Sequence, residues 1–170
     1  MALPGIASLA EWLETGLAPP QEHAPVPMSA VEALIGLGPG LTPSGDDCLG
    51  GVLVALRHLG ASGPANRLAT AVLSRAERRT HDISRAHLAA AASGEGLAPL
   101  HAMLSSLCTP GALDMRESLS AIDAIGHTSG WDALVGVALA AAIVARVRAA
   151  CRDTSVAARG AGPEGGAHRP

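Results

Sequence analysis

The chain has 170 residues and a formal charge of -3, and all twelve of its basic side chains are arginine. About one domain of length, no basic face and no lysine exclude nucleic acid as an expected partner, Schiff-base catalysis and a lysine-dependent phosphate loop. Phe and Tyr are absent and hydrophobic residues make up 48% of the chain, nearly all Ala, Leu, Val and Ile, which calls for closely packed aliphatic helices.

Three cysteines, Cys48, Cys108 and Cys151, show no C-x-x-C spacing and predict reduced thiols in a cytoplasmic protein. The first residues lack a cationic, apolar leader, and the longest uncharged apolar run, 133–145, is shorter than the roughly 18 to 20 residues of a membrane span. Neither secretion nor a membrane partner is expected.

In chain order, residues 6–14 have weak helical periodicity anchored by Trp12 and Leu13, and a proline-rich stretch comes next, so 1–28 reads as an arm and linker. Ser29 with Glu32 three positions on fits a capping box that opens a short helix. The glycine- and proline-rich loop 36–43 then delivers Ser44, Asp46 and Asp47 to the first turn of a second helix with apolar residues at 49, 52, 53, 56 and 59. Further helices are expected from Pro64 to Arg79, from about 84 to Ser93 with Gly94 closing it, from Leu97 to Cys108, and from a capping box at 114–117 to about Ala124. A buried helix covers 133–145. After Asp153 the chain loses periodicity, and 153–170 reads as a disordered tail behind a helical domain at 29–152. The fold class is therefore all-α, a bundle of about six to eight helices.

The stretches 44–51 and 129–136 share the pattern S-G-x-D-x-L-x-G. Capping by Ser44, Asp47, Ser129 and Asp132 is one reading of it. Gly51 and Gly136, at matching positions, would let the two helices approach closely, and both helix starts would then face one cavity. That arrangement favours a phosphate or carboxylate held by Gly38, Gly40, Thr42, Ser44, Gly45, Thr128, Ser129 and Gly130, with positive charge from Arg78, Arg79 or Arg85. Asp46, Asp47 and Asp132 complicate an anion site, since they either face away or hold a Mg²⁺ ion, which would make the chain a magnesium-dependent hydrolase. Asp46 and His127 are the candidates for catalytic acid/base roles. A non-catalytic assembly subunit is the third reading.

The stretch GLGPGLTPSGDD at 36–47, with GHTSGWD at 126–132 downstream, resembles the AllH-like family of bacterial proteins over roughly residues 30–150. The resemblance implies a subunit of oxamate carbamoyltransferase, acting with partner subunits in allantoin (purine) catabolism. The substrates it implies are phosphate, carbamoyl phosphate, oxamate and oxalurate, with carbamoyl transfer between oxamate and phosphate. Members of that family typically carry a further segment ahead of the glycine loop, where this chain has its short proline-rich stretch.

Overall fold

The computed structural model describes residues 2–18, 24–108 and 115–160, and among them there are helices and no strand. The helices are α1 (Ala2–Leu17), α2 (Met28–Leu34), α3 (Ser44–His58), α4 (Ser62–Arg79), α5 (Asp82–Ser93), α6 (Ala98–Cys108), α7 (Met115–Asp123) and α8 (Ser129–Gly160). The all-α expectation holds.

At the centre lies α3, which is buried on nearly every side from Cys48 to Leu56. A helix apolar all round has to be enclosed, and α8, α5, α4 and α6 enclose it. Leu49, Val52, Leu53 and Leu56 are fully buried, as their spacing predicts. Gly94, at φ 87°, closes α5 in the left-handed conformation that glycine adopts without strain, and Glu95 N–H bonds back to Ala90 O.

Three features differ from the sequence reading. Helix α1 packs on α2 and α8 with Leu9 and Leu13 fully buried, so residues 2–17 belong to the core rather than to an arm. Trp12 ties the chain beyond α1 to this helix, since its Nε1–H donates to Ala24 O at 3.0 Å, and Arg67 lies 5.7 Å above its ring. The capping box at Ser29 does not form, because Pro27 O already accepts from Ala30 and Val31 N–H and α2 starts before Ser29. Glu32 pairs instead with Arg75 at 2.8 Å.

The third difference is the length of α8. It continues past Asp153 to Gly160, while residues 161–170 and the Asp114 of the expected capping box lie outside the described residues. Its segment Ser129–Thr154 contains an 18-residue window with a mean hydropathy of 1.9 and is long and apolar enough to cross a membrane. One face of that segment, with Val137, Ala140, Ile143 and Val144, is buried in the core.

Candidate functional site

The two copies of the repeat meet. A methyl group on Gly51 would lie 2.0 Å from Ala133 O, and one on Gly136 would lie 2.0 Å from Cys48 O. Cys48 and Ala133 hold the same position in the repeat, so α3 and α8 cross through a reciprocal pair of glycine notches related by a pseudo-two-fold axis. The first glycine of each copy does a matching job: Gly45 rests on Leu34 O and Gly130 on Ile122 O, each near the end of the preceding helix. The repeat is thus a packing device, which lets four helix segments meet backbone to backbone.

Polar groups link the copies as well. Thr42 Oγ1 and Ser129 Oγ are 3.1 Å apart, and the Ser129 hydroxyl bonds to Asp47. A hydroxyl has one proton, so Ser129 donates to Asp47 and Thr42 donates to Ser129. Helix α3 is not capped as the sequence suggested: Pro43 precedes Ser44 and no side chain caps the helix. Asp47 is turned to the facing copy instead of back to Ser44.

Asp46 has a different task. Although it is only 2% exposed, both its oxygens are engaged: Oδ1 accepts Gly36 N–H at 2.7 Å, and Oδ2 accepts the hydroxyls of Thr80 and, at 2.6 Å, Ser84. One carboxylate therefore ties the start of α3 to the ends of α2 and α4 and the first turn of α5. Gly36, at φ 70°, has Arg79 O 2.2 Å from where a Cβ would lie, so this junction also depends on a bare backbone.

Beside the crossing is an open cleft of about 350 Å³ between α3, α5, the turn at 95–97, and the first residues of α6 and α8. Asp46, Asp47, Gly50 and Gly51 form one wall, Ser84, His87 and Ala91 another, and Val54, Leu88, Leu97 and Leu100 supply apolar surface. Asp47 Oδ2 and Asp132 Oδ2 are buried without a hydrogen-bond partner among the described residues. Burial pushes the Asp47 carboxyl up to about 6; the Ser129 bond opposes that shift, and the charge of Asp132 adds to it. Burial and the same two carboxylates push the Cys48 thiol up to about 11, so it stays protonated and unreactive at neutral pH.

Because Asp47 ionises less readily in the folded chain, the native state holds the extra proton between the ordinary carboxylate range and about pH 6. Stability falls as pH rises through that window. Asp47→Asn is expected to be more stable than the parent above pH 6, by about 1 to 2 kcal/mol once partial exposure is discounted, with the gap closing near pH 4. Urea midpoints at pH 4 and pH 7.5 check this.

The other candidate residues fall in several places. Gly38 and Gly40 take positive φ in the exposed loop, where Gly38 covers Ser44 N and Gly40 faces open space. At the start of α3, Gly45 N–H is donated to Leu37 O, and Asp46 and Asp47 N–H both go to Pro43 O, which leaves those amides engaged within the chain. Thr128 and His127 are exposed ahead of α8, with His127 at φ 25°, and neither lines the cleft. Asp46, Asp47 and Asp132 do not form a magnesium cage: Asp46 is held by its three donors, and among the described residues no three His, Cys, Asp or Glu side chains gather as a metal site. Arg79 lies against Glu32 O, Arg85 pairs with Asp82, and among the described residues no arginine lines the cleft.

His87, Thr80 and Ser84 are contributors that the sequence did not assign to the site, although the segment 80–84 also resembles the AllH family. The hydroxyls of Thr80 and Ser84, four apart around the start of α5, are a visible pattern. Nothing in the sequence pairs them with Asp46.

The fold and the cleft together define a helical protein with an open cleft beside the crossing of two internally repeated helix starts. Residues 34–141 match the family described as oxamate carbamoyltransferase subunit AllH, and the chain belongs to that family. The matched span takes in both copies of the repeat, the Asp46 junction and the whole cleft. No solved structure matches the chain.

Proposed function

We propose that this chain works as a subunit of a carbamoyltransferase and that its cleft receives the amide-bearing substrate, oxamate or oxalurate, with Asp47 facing the nitrogen. The observation that carries this reading is Asp47, a residue of the cleft wall whose buried Oδ2 has no hydrogen-bond partner among the described residues. A cleft of about 350 Å³ suits a small ligand. Carbamoyl transfer to oxamate requires its nitrogen to lose a proton, and the reverse reaction requires that nitrogen to regain one. A carboxyl held at about 6 can do both near neutral pH.

The described lining holds no arginine, so phosphate and the substrate carboxylate draw their cationic partners from another subunit. This accords with the family's description as a subunit. It also moves the anion away from the helix starts, whose α3 amides are already bonded.

Calorimetric titration of the full chain with oxamate, oxalurate, phosphate and carbamoyl phosphate, with and without Mg²⁺, tests the reading. Heat is expected with oxamate or oxalurate, and Asp47→Asn is expected to weaken their binding about tenfold, equivalent to about 1.4 kcal/mol. No heat with either amide from a folded chain, or an affinity that Asp47→Asn leaves unchanged, would remove Asp47 and the cleft from the function.

A further inference from the structure

The structure leaves an outward face of α8 uncovered. Of the most apolar window of the segment Ser129–Thr154, 28% is buried, and Leu134, Leu139 and Val147 are half-buried against the core. Trp131, Val135, Ala138, Ala142 and Ala145 are exposed and Ala149 is half-buried, and they recur at spacings of four, three, four, three and four. That is the alternation of a heptad seam, sustained for about 27 Å of helix. Trp131 and Val135, one turn apart on that face, are 42% and 49% exposed.

We infer that this seam pairs with the same seam of a second copy of the chain, antiparallel, about an axis near Ala140. Side-chain size makes the seam complementary to its own reverse, which favours the antiparallel direction. The seam is bulky at its N-terminal end and uniformly small from Ala138 onward, so an antiparallel copy sets Trp131 opposite Ala149, Val135 opposite Ala145, and Ala138 opposite Ala142. A parallel copy would press tryptophan against tryptophan and hold the alanines apart. Charge points the same way: Asp132 in α8 and Asp123 beside Trp131 lie at one end, and at the other Arg146, Arg148 and Arg152 outnumber Asp153 and Glu14, which pairs with Arg146. Antiparallel pairing brings the acidic end of each helix to the basic end of its partner and opposes the helix dipoles favourably.

Sedimentation equilibrium of the full chain over micromolar concentrations tests this, and a dimer is the expected result. Val135→Glu and Ala142→Glu should each weaken dimerisation at least a hundredfold while leaving the far-ultraviolet helix signal intact. Ala149→Trp alone should also break the dimer, by setting tryptophan against Trp131. Combining it with Trp131→Ala exchanges the large and small partners and should restore the dimer. A monomer at all concentrations overturns the inference, as does a dimer indifferent to both glutamates or a size exchange that fails to restore pairing. Sedimentation of the monomer with anionic phospholipid vesicles would assign the seam to a membrane surface instead.

Discussion

Gly136→Ala is expected to be among the most damaging single-methyl additions in the chain, at a cost of about 3 kcal/mol. The new Cβ would lie 2.0 Å from Cys48 O and 2.9 Å from Val52 N, both backbone atoms of α3 that cannot swing aside as a side chain can. Overpacking by one methyl commonly costs about 1 to 3 kcal/mol, and an unyielding neighbour puts this site at the upper end. Alanine's better helix propensity returns only about 1 kcal/mol. Gly51→Ala should behave alike, since it meets Ala133 O at the same distance. The internal control is Gly50→Ala on the same helix, where the nearest atom to a new Cβ is Ala91 Cβ at 3.8 Å. There the propensity gain stands alone, and the variant should be as stable as the parent or slightly more so. Urea midpoints of the three variants separate a notch from a merely helical glycine. Equal losses at 50, 51 and 136 would show that the crossing is not held by backbone contact.

The same contrast shows how far the residues alone can be read. The repeat at 44–51 and 129–136, with glycines at matching positions, is enough to place α3 against α8, because close approach leaves a periodic trace in residue size. The helices themselves are legible from apolar spacing and from breakers such as Gly94. What the residues do not disclose is the direction of short polar side chains. Serine and aspartate near a helix start fit capping as well as a contact across the crossing, and only the fold shows Ser129 between Thr42 and Asp47. Ser29 and Glu32 satisfy a capping pattern too, yet Pro27 O sets the start of α2 and Glu32 turns to Arg75. The cleft is hidden for a related reason: His87 and the α5 wall lie some forty positions from Asp47, and no periodicity relates them.

The second large effect is expected at Asp46, where stability and chemistry give opposite patterns across two substitutions. Asp46→Ala removes the acceptor for Gly36 N–H and for the Thr80 and Ser84 hydroxyls, in a position only 2% exposed. Orphaned buried donors and a cavity together should cost about 3 to 5 kcal/mol. Asp46→Asn is much milder, because its carbonyl can still accept Gly36 N–H while both hydroxyls rotate to accept from its amide; a loss of about 1 to 2 kcal/mol is expected. If Asp46 were instead an acid or base in the reaction, asparagine would be as inactivating as alanine. Urea unfolding and ligand calorimetry on both variants therefore decide between a helix junction and a reacting group. The junction requires Asp46→Asn to keep most of its stability and its ligand affinity, with Asp47→Asn showing the reverse: higher stability above pH 6 and weaker binding. Two neighbouring carboxylates in the first turn of one helix would then be separated by their surroundings, one satisfied by three donors and the other left with an empty acceptor beside a cleft.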